Sequence, residues 1–242
     1  ILFKSGKYYL FYMGNTGDGK SYPMHRNNQR IGVAVADKPE GPWTRLDKPI
    51  LDVSADKAAF DSLCVTNPGA TERPDGGILL IYKAVEYVAG KPMGGKVRYG
   101  VALADQPEGP YTKMPGRVFE AEGEEAKKHW MLAEDPYIWF SKRDGSRYYA
   151  VARDVVGSFT GASGGLALFQ SEDGLQWKAA THPKVLGAHF TWADGKESDD
   201  KIERPALLFD DGEPVAIFGA TDGYQKNGRI SSNVHIPLRA QP

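Results

Sequence analysis

The chain has 242 residues, room for one large all-β domain or two small ones. Its 30 Lys and Arg against 31 Asp and Glu leave a formal net charge of -1, which argues against nucleic acid or an anionic membrane surface as partner and favours a neutral ligand, or one held by local charges. No apolar run approaches the ~20 residues of a membrane span, and the single Cys64 excludes both an intramolecular disulfide and a multi-cysteine zinc site.

The 28 Gly, 16 Pro and 12 Tyr predict many short strands joined by tight turns. Ile1-Leu2-Phe3 opens the chain, Ser5-Gly6 turns it, and Tyr8 to Tyr12 forms an aromatic strand. A small-residue strand, Ile31 to Ala36, leads to Pro39-Glu40-Gly41-Pro42-Trp43. The next unit begins with Thr66-Asn67-Pro68, turns at Asp75-Gly76-Gly77, and runs on through Ile78 to Tyr82 and Tyr99 to Ala104. It closes with a second copy of the loop, Pro107-Glu108-Gly109-Pro110-Tyr111. Glu134-Asp135-Pro136 starts a third unit, which turns at Asp144-Gly145-Ser146 and ends at Ser171-Glu172-Asp173-Gly174 and Trp177. Glu203-Arg204-Pro205 starts a fourth, with a turn at Asp211-Gly212-Glu213 and an apolar run from Val215 to Phe218. The triplet prolines, at 68, 136 and 205, keep a nearly constant spacing.

A four-stranded unit repeated at constant spacing reads as a propeller blade. A β-sandwich has no reason to repeat a motif in this way. The expected architecture is a single all-β propeller domain over 1–242, with units at 1–60, 61–128, 129–197 and 198–242. The spacing yields about three and a half units, and a propeller needs at least ~4 blades. The N-terminal part is therefore expected to be missing from this chain, which has no initiator Met and no visible signal peptide.

Gly6-Lys7-Tyr8-Tyr9-Leu10-Phe11-Tyr12, the two Pro-Glu-Gly-Pro-aromatic segments, Glu134-Asp135-Pro136 and Ser171-Glu172-Asp173-Gly174 with Trp177 resemble the five-bladed β-propeller glycoside hydrolases. The likeness is strongest to family 43 and family 117-like sequences, with families 32 and 130 as relatives, and covers nearly the whole chain. It implies a five-bladed propeller whose axial funnel takes carbohydrate, acting on a plant or algal oligo- or polysaccharide with inversion. It also implies a secreted or periplasmic setting. No cofactor is required on this reading, a Ca²⁺ or Na⁺ on the axis is left open, and oligomeric state is unread.

Equivalent inner-strand positions of successive blades converge in a propeller, so acidic residues there can supply the acid and base of glycosidic cleavage. The column before Pro holds Asn67, Asp135 and Arg204, and the one before it Thr66, Glu134 and Glu203. Asp135 is expected to be a catalytic or pKa-setting carboxylate and Glu203 the general acid or the group that positions it. Glu134 is the alternative to Asp135, since neighbours on a strand point to opposite faces. Arg204 is read as a substrate-binding cation or as the salt-bridge partner of Glu134 or Asp135. The family's general base comes from the first blade, which falls before Ile1; Asp61 is the substitute within the chain.

Asn67, His189, Lys83, Arg153 and Trp130 complete the expected substrate contacts. The competing readings are a surface position for His189 and inter-blade ion pairing for Lys83 and Arg153. Cys64, between Leu63 and Val65, reads as a buried structural thiol. No nucleophile elbow, phosphate-binding loop or spaced zinc signature is present. Two other functions stay open: a non-catalytic carbohydrate-binding propeller, and a phosphorylase holding phosphate with Lys83, Arg153 and Arg204.

Overall fold

The computed structural model describes residues 1–16, 21–143, 145–199, 201–222 and 231–238; Asp144 of the expected third turn lies outside them. The chain forms two compact units, Ile1–Val118 and Phe119–Pro242.

The first unit holds two antiparallel sheets, each meandering through four consecutive strands. The first comprises β1 (Leu2–Lys4), β2 (Lys7–Gly14), β3 (Arg30–Ala36) and β4 (Thr44–Arg45), with the short helix α1 (Tyr22–Asn27) between β2 and β3. The second comprises β5 (Cys64–Glu72), β6 (Ile78–Val85), β7 (Val97–Ala104) and β8 (Thr112–Lys113). Between them lies an apolar core of Ile31, Leu51, Val65, Leu80, Tyr82, Ala84 and Ala102. The central strand β6 is buried on both faces, which explains its continuous apolar run Ile78 to Tyr82.

The second unit follows α2 (Glu124–Lys128) with a four-stranded sheet of β9 (Ala133–Ser141), β10 (Arg147–Asp154), β11 (Leu166–Ser171) and β12 (Lys178–Leu186). A hairpin, β13 (His189–Thr191) with β14 (Glu197–Asp199), leads to a three-stranded sheet of β15 (Glu203–Asp210), β16 (Glu213–Thr221) and β17 (Ser232–Pro237). Its core gathers Val151, Leu166, Ile202, Ile217 and Val234, with Trp139 packed against it and stacked on Tyr149 at 5.4 Å.

The turn residues do what their types allow. Ser5-Gly6 and Asp211-Gly212 join β1 to β2 and β15 to β16 with positive φ at both positions, the backbone that matches the twist of a two-residue hairpin. At Ser171-Glu172-Asp173-Gly174, the Asp173 carboxylate accepts hydrogen bonds from the backbone N–H groups of Leu175 and Gln176 and from the Ser171 hydroxyl. Burial raises the Asp173 pKa, but these donors outweigh it and hold the pKa below the usual carboxylate value. Trp177 Nε1 donates to the Gly174 carbonyl, and its ring meets Phe119 edge-on.

The blade pattern is therefore all-β and recurrent, but the described residues carry four blade-like sheets, besides the two-stranded β13–β14 sheet, where the resemblance implies five blades. The first sheet is complete because Leu2–Lys4 pairs with β2 without any Pro triplet. The fourth has three described strands.

Candidate functional site

The three triplets share one backbone device. Asn67, Asp135 and Arg204 have φ of 44°, 52° and 53°, in the left-handed region that non-glycine residues enter at a cost. In each strand the ladder register slips at the triplet: between Thr66 and Gly69, opposite Val151 and Arg153, and between Glu203 and Ala206. A bulge of this kind re-aims side chains and breaks the alternation of faces.

Glu134 and Asp135 are neighbours on β9, and each is tied to a residue of β15, Glu134 through Arg153 and Asp135 directly. Both reach towards β15. Arg153, opposite Glu134 in register, donates from Nη1 to Glu134 Oε2 at 3.0 Å and to Glu203 Oε1 at 2.8 Å. One guanidinium nitrogen thus ties two carboxylates, whose bonded oxygens lie within about 6 Å of each other. Lys201 adds a second cation to Glu203 Oε1 at 3.0 Å. Alongside, Arg204 Nε stands 3.9 Å from Asp135 Oδ2, the salt bridge read from the sequence as its alternative role. Arg153 and Glu134 are largely buried, whereas Glu203 is about a third open and Arg204 mostly exposed. Arg153 Nε is buried and has no hydrogen-bond partner among the described residues.

The structure therefore brings together Glu134, Asp135, Arg153, Glu203 and Arg204 and adds Lys201, which sequence reasoning missed. Lys201 stands two residues before the triplet, where the other two units have Leu132 and Cys64, so no repeat column marks it. Asp61 is elsewhere. It is buried, accepts a hydrogen bond from the Tyr82 hydroxyl at 3.2 Å, and pairs with Lys113 Nζ at 2.5 Å. These bonds clamp it inside the first unit. Burial, and then the Asp61 charge, push the Tyr82 phenol well above its ordinary pKa.

Asn67 accepts a hydrogen bond from the Thr66 hydroxyl at 2.8 Å, and Lys83 faces Thr66 in register, as Arg153 faces Glu134. His189 stands exposed on the β13–β14 hairpin and pairs with Glu197 at 2.9 Å, the surface position weighed as its alternative. Trp130 is 56% exposed. Cys64 is fully buried; its environment raises its pKa, chiefly by desolvation. Among the described residues no group of three or more His, Cys, Asp or Glu is placed to hold a metal, and no helix is long and apolar enough to cross a membrane.

Two cavities, of about 470 and 690 Å³, lie beside Trp177 and beside Tyr12. Neither borders the triplets.

No protein-family model matches the chain, and no curated protein is similar to it in sequence. Solved structures are similar in fold. A thermostable family-43 glycoside hydrolase matches 99% of this chain over 70% of its own, with a TM-score of 0.65 and 16% identity. A family 117 glycoside hydrolase from the marine bacterium Zobellia galactanivorans matches 97% of this chain over 57% of its own, with a TM-score of 0.58 and 18% identity. A family 130 structure, from a group of mannoside phosphorylases that contains glycoside hydrolases targeting β-1,2 mannosidic linkages in Candida mannan, matches 93% over 59%, with a TM-score of 0.58 and 13% identity. The chain spans 57% to 70% of the lengths of these three proteins. Strand order, blade repeat and these likenesses agree that the chain has the fold of the propeller glycoside hydrolases it resembles.

Proposed function

We propose that this chain has the propeller of an enzyme that cleaves a glycosidic bond in an oligo- or polysaccharide, with Glu203 and Asp135 as its acid and base. The carrying observation is the Glu134–Arg153–Glu203 bridge of the second unit, beside the strained, bulged residues Asp135 and Arg204. Left-handed non-glycine backbone costs of order 1–3 kcal/mol per residue and concentrates where function needs it. Here it recurs three times at one repeat position.

In this reading Glu203 gives its proton to the leaving oxygen as the glycosidic C–O bond breaks. Asp135 takes a proton from the water that attacks the anomeric carbon. Arg153 and Lys201 fix the orientation of Glu203, and Glu134 balances the charge of Arg153. Inverting chemistry needs its two carboxyl groups ~6.5–9.5 Å apart. Glu134 is taken up by Arg153, so the proposed pair is Asp135 with Glu203. No cofactor takes part, the setting is extracellular or periplasmic, and an axial Ca²⁺ or Na⁺ would be structural.

The second reading is phosphorolysis. It draws on the convergence of Arg153, Lys201 and Arg204, which would hold a phosphate in place of water.

Turnover of a panel of plant and algal glycans, with and without inorganic phosphate, tests both. Hydrolysis without phosphate that falls at least ~10³-fold in Glu203→Gln, with the melting temperature kept, is the expected result. Turnover only with phosphate would replace hydrolysis by phosphorolysis. Saturable glycan binding without turnover in either condition would leave a carbohydrate-binding propeller. Undiminished turnover in Glu203→Gln would remove this residue from the chemistry.

A further inference from the structure

The two sheets of the first unit repeat a trio of residues, a tyrosine, a glycine and a cation, at equivalent positions, and only in the second sheet is its use visible. In the second sheet Tyr82 of β6 lies across from Gly100 of β7, and Lys113 of β8 pairs with Ala102. Tyr82 and Lys113 together hold the carboxylate of Asp61, by the phenol at 3.2 Å and the ammonium at 2.5 Å. The preceding residue, Phe60, stacks on Tyr82 with ring centres 6.3 Å apart. An aromatic–aspartate segment of chain thus fills the hollow that the glycine leaves open.

In the first sheet the register is the same. Tyr12 lies across from Gly32, and Arg45 pairs with Ala34. The tyrosine ring covers its glycine as closely as in the second sheet: a Cβ on Gly32 would come within 2.6 Å of Tyr12, as one on Gly100 would of Tyr82. Tyr12, Gly32 and Arg45 border the cavity of about 690 Å³, with Arg30, Lys48, Asp47 and Asp52 around them. Asp52 is engaged by Arg30 and by the backbone N–H of Val53. Among the described residues neither the Tyr12 hydroxyl nor the Arg45 guanidinium meets a hydrogen-bond or ion-pair partner. The lining carries three cations against two carboxylates, so it favours an incoming anion.

We propose that this cavity binds a chain segment carrying an aromatic residue followed by an aspartate, the chemistry of Phe60-Asp61. The carboxylate bridges Arg45 and the Tyr12 hydroxyl while the aromatic ring lies on Tyr12. Arginine in place of lysine adds donors suited to a carboxylate.

The probe is the blocked pentapeptide Ala-Phe-Asp-Ser-Leu, which reproduces residues 59–63, titrated into the whole chain by calorimetry. Saturable binding is expected. It weakens at least tenfold when the peptide aspartate becomes asparagine, or in Arg45→Met, and several-fold in Tyr12→Phe. Arg45 is exposed at the end of a two-residue strand, and an unchanged melting temperature checks that the variant folds. No saturable binding, or equal binding of the aspartate and asparagine peptides, would overturn the proposal. Binding of acetate or glucuronate with none of the peptide would also overturn it, since it would make the cavity a small-carboxylate site. These outcomes do not depend on turnover and leave the glycosidic reading untouched.

Discussion

Arg153 concentrates the electrostatics of the second unit in one side chain. Its Nη1 serves Glu134 from its own sheet and Glu203 from the neighbouring one, and its burial makes the loss of either role costly. Removing one partner of a fully buried pair costs ~3–5 kcal/mol. Glu203 and Lys201 retain solvent contact, which screens part of the effect. Arg153→Met should therefore destabilise the chain by about 2–3 kcal/mol in urea unfolding. Arg153→Lys should recover charge but not the double contact, because an ammonium lacks the planar fork. If Arg153→Met unfolds at the same urea concentration as the wild type, the bridge carries no stability. The residue types of this network were legible before the structure, since two columns of polar residues on inner strands call for partners or a ligand. Which side chains face the site was not. Strict alternation separates Glu134 from Asp135, but Asp135 adopts positive φ and the register slips beside it. Asn and Asp enter that region more readily than most residues, so two of the three triplets carried the signal, and Arg204 concealed it.

At the level of strands, the second and third strands of each sheet in the first unit meet at a tyrosine–glycine pair. Their glycines are determined by close approach, not by turn geometry: neither Gly32 nor Gly100 has positive φ, and a Cβ at either would strike the tyrosine opposite. The two sites differ in what surrounds the ring. Tyr82 is fully buried, stacked on Phe60 and bonded to Asp61, so it cannot swing aside. Tyr12 is half-buried and borders a cavity. Overpacking a close-packed core costs ~1–3 kcal/mol. Gly100→Ala should reach the upper part of that range, while Gly32→Ala should cost about 1 kcal/mol or less because the ring can rotate into the open space. Denaturant midpoints for the two variants test the contrast, and equal losses would show that the first sheet is as tightly held as the second. The sequence displays both glycines inside small-residue strands. It does not display their opposite tyrosines, because pairing register emerges only once the strands are aligned.

For the whole chain, the repeat was the most legible feature, because a fixed interval of 68 or 69 residues has a structural cause in one four-stranded sheet per interval. The number of sheets was less legible: the spacing marks four units, 1–60 among them although it starts without a Pro triplet, and does not mark the β13–β14 pair. The same scaffold carries several chemistries in the structures it resembles, so substrate choice has to come from local side chains and not from the fold. The charge balance constrains that choice. With 30 basic and 31 acidic residues there is no long-range field to attract a polyanion, and Arg153, Lys201 and Arg204 are already engaged by Glu134, Asp135 and Glu203. A neutral glycan should therefore bind with little dependence on ionic strength. Between ~0.05 and ~0.5 M NaCl, where the screening length falls to a few ångströms, its dissociation constant should change less than about twofold. A tenfold or greater loss over that range would mean that charge attraction drives binding, and the glycan to seek would then be an acidic one contacted through Arg204 and Lys201.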